Sequence, residues 1–563
     1  MTRIFCLILL LIPFVVGSQN IDLILHNGKI FTAEPDKTSA TAIAVKGKRI
    51  YRIGDESILD LRGPNTIVID LRGKFCMPGL IEGHGHMNGL GASLNSIDLL
   101  DAQSWDEAIH AVKLKVAESN KGRWIEGRGW HQEKFKKLPL DAVGGYPSQA
   151  SISAVSPDNP VILVHASGHA LFANAKAMSL AGIDRNTPDP AGGKIIRDKN
   201  GNPTGIFEEN AMELFAVLRS SIEQNLNPDE QYQSWERNMQ AAQELCLKNG
   251  ITSFHDAGVS VKDFANYVRY AEQGQMIVRM YLMLLDSIKN IESIEDRLPM
   301  NGHYNGFLTV RAIKQFIDGA LGSHGAWLLK PYTDKPELTG QNVLDLQSLS
   351  DYAEYALNHH LQLCVHAIGD RGNREVLNIY ESAIMSQRDH DNLRWRIEHA
   401  QHVSPEDLGR FAKLGIIASM QAVHCTSDAP YVTKRLGEER ARKESYMWRS
   451  LIDSGAHLAN GTDTPVEKEN PFDCIYSAVT RKRKDTGIEF YPEQKMTREE
   501  ALLSYTLWNA YAAFEEDLKG SIKVGKLADL IVTDKDLLKC PESKIPDTKV
   551  VMTILNGKIV YQQ

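Results

Sequence analysis

Apolar and polar positions follow three rhythms along this chain. Near both ends, short apolar runs are broken every few residues by turn-forming pairs, at 21–26, 29–32, 42–45 and 67–71 and again at 553–560. Asn27-Gly28 and Lys46-Gly47 carry the residue types a tight turn needs, so they predict hairpins. Thr553-Ile554-Leu555-Asn556-Gly557-Lys558-Ile559-Val560 echoes Leu23-Ile24-Leu25-His26-Asn27-Gly28-Lys29-Ile30. Two copies of an N-G-K-I pattern at opposite ends predict a small β domain, a β-sandwich built from residues 19–75 and 516–563. The rest of the chain is inserted between its halves.

The second rhythm fills the middle. Strand-like runs at 251–256, 310–317, 361–366, 394–399, 416–421 and 457–463 are separated by helical stretches such as 348–359 and 404–414. Repeated strand–helix units over this length predict a parallel α/β architecture. Polar residues gather at the C-terminal end of nearly every strand, where a (β/α)8 barrel of the TIM type places its active site, so residues 76–515 are assigned to such a barrel. A doubly wound open sheet is the alternative. It would advertise a glycine-rich phosphate loop, and Gly83-His84-Gly85 lacks the third glycine. The third rhythm, at about 89–250, is too long for one strand–helix connection. A hairpin pattern around Asn200-Gly201 and a helical run at 229–249 predict an inserted α+β subdomain over the barrel mouth.

The first residues stand apart from all three. Arg3 precedes an apolar run from Ile4 to Val16 that ends in Gly17-Ser18, the pattern of a secretory signal peptide over 1–18. Cleavage after Ser18 would leave Gln19 first, so the expectation is export to a periplasmic or extracellular location, with no stable membrane anchor after processing. An uncleaved anchor helix is the alternative, disfavoured by the short run.

Across 563 residues the formal net charge is −8, which argues against a nucleic-acid or anionic-membrane partner. The basic run Arg481-Lys482-Arg483-Lys484 reads as a solvated helix end. Seven cysteines, one of them in the signal, show no C-x-x-C and no dense spacing, so those in the mature chain are expected to be mostly free and buried. A small-molecule substrate is the expected partner, and a homo-oligomer is compatible with the sequence.

Candidate chemistry centres on Met77-Pro78-Gly79-Leu80-Ile81-Glu82-Gly83-His84-Gly85-His86. On a strand, His84 and His86 share a face, and two imidazoles side by side are poor core filler but good ligands for a divalent metal. His366 closes the run beginning at Leu361, His399 the run beginning at Arg394, and Asp463 the run beginning at Ala459. Lys314 shares a strand face with Ala312, Phe316 and Asp318. Any one of these histidines alone reads as a hydrogen-bonded core residue. Four at strand ends of one barrel, with a carboxylate on the last, read as a metal site.

With Asp318-Gly319-Ala320-Leu321-Gly322-Ser323, His366-Ala367-Ile368-Gly369-Asp370, Arg396-Ile397-Glu398-His399-Ala400-Gln401 and Gly461-Thr462-Asp463-Thr464-Pro465-Val466, these motifs resemble the metal-dependent amidohydrolase superfamily. Within it they resemble amidohydrolase family 3, the group that includes N-substituted formamide deformylases. The resemblance spans the mature chain. It implies that His84 and His86 bind a buried metal with Asp463 nearby, that His366 and His399 bind a second, and that a carboxylated Lys314 bridges the two. A lysine merely ion-paired with Asp318 is the alternative for that position. Where many relatives carry arginine after Leu321-Gly322-Ser323, this chain has His324, which puts a substrate contact there in doubt.

Neutral imidazoles and carboxylates suit zinc, and such sites also accept manganese, iron or cobalt. The resemblance implies hydrolysis of a non-peptide carbon–nitrogen bond, an N-substituted amide or formamide, with Asp463 as base and then acid. Ring deamination or cyclic-amide opening on the same scaffold is a second reading, and a non-catalytic binding protein a third. A serine hydrolase is excluded by the lack of a G-x-S-x-G elbow. His169, His324, Trp130 and Trp327 are candidates for substrate contact, with His131 beside them. His255-Asp256 is a candidate for orienting a ligand, while His359, His360 and His424 read as structural or exposed.

Overall fold

The computed structural model describes residues 21–563 apart from 36–39, 100–101, 131, 133–134, 166–169, 191–192, 216–226, 323 and 387–391. The signal peptide expected at 1–18 lies outside the described residues. Eight parallel strands in sequence order form the central sheet: β1 (Leu80–Gly85), β2 (Ile251–Val259), β3 (Arg279–Leu284), β4 (Leu308–Phe316), β5 (Gln362–Ala367), β6 (Arg396–His399), β7 (Ile417–Met420) and β8 (Leu458–Asn460). Neighbours pair in parallel throughout. Both faces are covered, so the strands read as near-continuous apolar runs rather than alternating ones. β3, Arg279-Met280-Tyr281-Leu282-Met283-Leu284, is buried at every residue. It was not among the strands the sequence predicted, because an unalternated apolar run cannot be told from buried helix by period alone.

The last strand returns to the first. Asn509 Nδ2 donates to both Ile81 O (2.6 Å) and Asn460 O (2.8 Å), and its Oδ1 accepts from Asn460 N at 3.1 Å. Asp463 N donates to His84 O and His86 N to Thr464 O, each at 2.8 Å. Gly83 and Gly461 permit this approach: a Cβ on Gly83 would fall 2.5 Å from Asn460 O, and one on Gly461 2.2 Å from Glu82 Oε1. Glu82 itself accepts from Thr462 N at 2.6 Å. The barrel is therefore closed by side-chain bridges and bare backbone rather than by a full strand ladder.

Two smaller sheets made near the termini face each other across a shared core that includes Leu25, Val45, Cys76, Leu530 and Ile554. One has four strands, all from the N-terminal segment. The other has five, pairing Phe75–Pro78 with Leu530–Thr533 and so joining the two chain ends. Asn556-Gly557 and Lys46-Gly47 do form hairpins. Asn27-Gly28 does not. Leu23–His26 belongs to the four-stranded sheet and Lys29–Ile30 to the other, so the turn carries the chain between sheets. Gly28 lies so close to Leu71 that a Cβ would sit 2.5 Å from its Cδ1, a tertiary requirement that the dipeptide alone does not reveal.

The long insertion forms a six-stranded sheet with its own cores. The helix Pro228–Lys248, read from sequence with that insertion, contributes Tyr232, Trp235, Met239 and Cys246 to the main core instead and packs on the barrel. It is capped by a reciprocal Asn227–Glu230 capping box. Among the described residues all six cysteines are unpaired, five of them buried, and no helix is long and apolar enough to cross a membrane.

Candidate metal centre and active site

Parallel register brings the C-terminal ends of β1, β4, β5, β6 and β8 to one face, and there the predicted ligands meet. His84 is the penultimate residue of β1 and His86 the first beyond it, with ring centroids 5.8 Å apart. His399 lies 4.8 Å from His84 and 4.4 Å from His366, centroid to centroid. One donor atom each from His84, His399 and Asp463 fall within 4.8 Å of one another. His399 and Asp463 both adopt left-handed backbone, φ 74° and 58°, a strained conformation that turns their side chains inward where the strand ends.

Each ring is oriented from behind. Glu398 Oε2 lies 2.5 Å from His84 Nδ1, so that nitrogen carries the proton and Nε2 keeps its lone pair for the site. Gln421 Oε1 does the same for His399 Nδ1 at 2.7 Å. Glu398 is held in turn by Arg396, whose Nε stands 2.6 Å from Oε1 as an ion pair off line for a hydrogen bond and whose guanidinium also donates to Glu398 Oε2 at 3.0 Å. Arg396 donates further to Gly83 O and Ser419 Oγ. Both are fully buried, and despite burial the Arg396 charge, with the His84 hydrogen bond, holds Glu398 well below the usual carboxylate range.

The electrostatics keep the imidazoles neutral, the form that ligates. Burial, with Lys314 adding to it, pushes His84 down to about 4 and His366 down to about 3, and His399 also falls well below its ordinary value. His86 is the exception. Its burial is outweighed by Asp463, whose Oδ1 lies 3.1 Å from Nε2, and its pKa is raised. Asp463 is lowered, burial being overcome by His86, His84 and His424. Both ring nitrogens of His366 are buried without a hydrogen-bond partner among the described residues. Such an imidazole is costly unless something binds it. The donor set thus fits a divalent cation.

Lys314 is fully buried beside these rings. The sequence alternative of pairing with Asp318 is not what the structure contains. Asp318 accepts from the backbone N–H groups of Trp327, Ile368 and Gly369, and burial raises it to about 7. Among the described residues Lys314 has no ion pair; its Nζ lies 4.5 Å from the Phe316 ring centroid, and burial lowers its pKa.

The candidate ligands form the floor of a cavity of about 360 Å³ whose walls include Phe316, Leu321, Ile368, Gln401, His424, Asp428, Tyr431, Val466 and Glu467. Of the candidates for substrate contact, none of the described ones reaches it. Trp130 is a core residue of the insertion, packed on Trp105 and His165 with its Nε1 bonded to Leu163 O. Trp327 sits behind the Asp318 loop under Arg371. His324 turns away to Asp334 and Tyr332. His169 and His131 lie outside the described residues. Asp256 is buried against Tyr267, its carboxyl pushed up to about 6 by burial, in a small cavity behind His86. His255 contacts Arg396 at 3.3 Å.

His424 corrects the sequence reading. It was expected to be structural or exposed, yet it lines the cavity with Nε2 3.9 Å from Asp463 Oδ2. The signal was present: His424, Asp428 and Tyr431 recur at i, i+4 and i+7 on the helix Ala422–Leu436, a polar stripe that follows a barrel strand. Glu398 also had a signal, a charged Arg-x-Glu pair on one face of an apolar strand.

A parallel barrel of eight strands with histidines and a carboxylate converging at its C-terminal mouth defines the metal-dependent hydrolases of this architecture. Comparison with known proteins narrows it. Residues 67–561 match the profile of the Amidohydrolase family. The chain is 34% identical to the protein LONG AFTER FAR-RED 3 of Arabidopsis thaliana over 96% of this chain and 91% of that one. It is 27% identical to an N-substituted formamide deformylase of Arthrobacter pascens over 97% of this chain and 99% of the relative. A solved metal-dependent hydrolase from Pyrococcus furiosus superposes with a TM-score of 0.74 at 28% identity, covering 92% of this chain and all of that one. The chain belongs to the amidohydrolase family and is a hydrolase acting on carbon–nitrogen bonds.

Proposed function

We propose that the substrate is an N-substituted amide or formamide, cleaved to an acid and an amine. His84, His86, His366, His399 and Asp463 would hold one or two divalent ions, zinc being the first choice, and Lys314 would join them as a carbamate. The convergence of four imidazoles and Asp463 on the floor of one cavity carries this reading, and the deformylase relative supports the choice of substrate type. When bound, the metal supplies Lewis acidity, making water nucleophilic near neutral pH and polarising a carbonyl. Asp463, kept anionic by its histidine neighbours, takes a proton from the attacking water at a carboxylate oxygen. It returns that proton to the nitrogen as the carbon–nitrogen bond breaks, so the amine leaves neutral. Glu398 and Gln421 hold the rings of His84 and His399 throughout.

The signal pattern at 1–18 supports export of the mature chain, which N-terminal sequencing from the native host tests by a start at Gln19. For the reaction, metal-loaded protein is screened against N-formyl, N-acyl and cyclic amides, following amine, acid and ammonia separately. Amine release from an open-chain amide that Asp463→Asn nearly abolishes is the expected result. Ring opening alone, or ammonia from a ring substrate, would transfer the site to the cyclic-amide or deaminase reading.

A further inference from the structure

The wall of the cavity beyond the metal ligands has a character of its own. Asp428 and Glu467 are the only carboxylates on it among the described residues, and no lysine or arginine shares that wall with them there. Asp428 is held as an acceptor on both oxygens, by the Tyr431 hydroxyl at Oδ1 and the Tyr446 hydroxyl at Oδ2, each at 2.5 Å. Those donors fix its position without neutralising its charge. Burial raises the Glu467 carboxyl; His424 and Ser427 offset part of this, while Asp428 and Asp463 add to it. A carboxyl raised in this way gains from any cation placed beside it. The Tyr431 ring adds an aromatic surface.

His424 supplies an independent sign of a ligand. Its side chain is more than nine-tenths buried and its ring lines the cavity. Gln401 Nε2 donates to its Nδ1 at 3.2 Å, which leaves the ring proton on Nε2. That nitrogen has no hydrogen-bond partner among the described residues. Its neighbour His399, stacked nearly parallel at 6.1 Å, faces the oxygen of Gln421 and so takes the opposite tautomer. One ring of the pair presents a lone pair, the other a donor.

We propose that the substrate carries a cationic group, an ammonium or substituted ammonium, seated against Asp428, Glu467 and Tyr431, and that it carries no carboxylate at that end, while His424 donates to its polar portion. This deepens the amide reading and rests on it for the position of the scissile bond. The charge logic is direct. No lysine or arginine other than the deeply buried Lys314 lines the cavity among the described residues, so an anionic tail seated against Asp428 and Glu467 would meet like charge there. A cation would meet two carboxylates and an aromatic face.

The test separates charge recognition from catalysis. Calorimetry on the metal-loaded full chain compares choline with its uncharged isostere 3,3-dimethylbutan-1-ol; the quaternary nitrogen has no lone pair to offer a metal. Choline should bind at least tenfold more tightly. The preference should fall below threefold in Asp428→Asn and in Glu467→Gln, with metal content unchanged in both. Equal binding of the two ligands to the unaltered protein overturns the proposal, whatever the variants do. So does a preference that survives both substitutions. Because the readout is binding, a charge preference without turnover of any amide would sink the amide reading alone, and amide turnover without the preference would sink this proposal alone.

Discussion

Replacing Glu398 with glutamine tests whether the buried pair behind His84 builds the site. The change is nearly isosteric and removes one negative charge. In the native protein that charge lies 2.6 Å from Arg396 Nε and 2.5 Å from His84 Nδ1, with both neighbours essentially unexposed. Without it the guanidinium keeps only Gly83 O and Ser419 Oγ, both neutral, and touches His255. Removing one partner of a buried ion pair costs about 3–5 kcal/mol, because the remaining charge is stranded in a medium that cannot solvate it. The amide of glutamine can present its nitrogen to His84 as readily as its oxygen. The ring then loses its tautomeric preference, and metal affinity should fall about 10–100-fold. Urea unfolding of the metal-free protein reads the first quantity, and chelator-competition titration reads the second. A further substitution, Arg396→Met in the Glu398→Gln background, should recover part of the stability by removing the stranded charge, and none of the metal affinity. If Glu398→Gln unfolds within about 1 kcal/mol of the native protein and binds metal within threefold, the pair does not position His84 and the reasoning fails.

Three further outcomes are expected. Gly461→Ala should destabilise the barrel by about 1–3 kcal/mol and reduce metal content, since its Cβ would lie 2.2 Å from Glu82 Oε1 and 2.6 Å from His84 N, at the seam that carries Asp463; unchanged stability would mean the seam yields freely. His402 is buried with Nδ1 on Ser445, and burial aided by Arg440 pushes it down to about 3. The unfolded chain therefore binds the proton and the folded one does not between pH 6.5 and about 3. Stability falls as pH drops through that window by about 1.4 kcal/mol per unit from this residue, a slope that His402→Asn should remove in urea titrations at several pH values. Lys314→Ala should bind less metal and lose a carbamate carbon signal from ¹³C-bicarbonate that the native protein shows. Full metal occupancy with no labelled signal in either would leave Lys314 unmodified.

Much of this protein is written in local pattern. The strand–helix alternation, the terminal β segments and the placement of His84, His86, His366, His399 and Asp463 at strand ends follow from side-chain period and from polar residues that end apolar runs. Those features need only a few neighbouring positions to be read. What the tertiary structure decided is everything that depends on which elements become neighbours. β3 is recognisable as a strand only once β2 and β4 flank it. Asn27-Gly28 carries the turn residues of a hairpin, yet packing against Leu71 sends the chain into another sheet. Trp130 and Trp327, aromatic candidates for a pocket, are drawn into cores because burying a large ring against apolar neighbours is more favourable than lining a wet cavity. His424 moves the other way, since a helix stripe shows which residues share a face but not what that face meets. The sequence determined the candidate ligands and their strands; three-dimensional packing decided which groups hold those side chains from behind and which wall they face, because burial and partner charge are properties of surroundings and not of the residue.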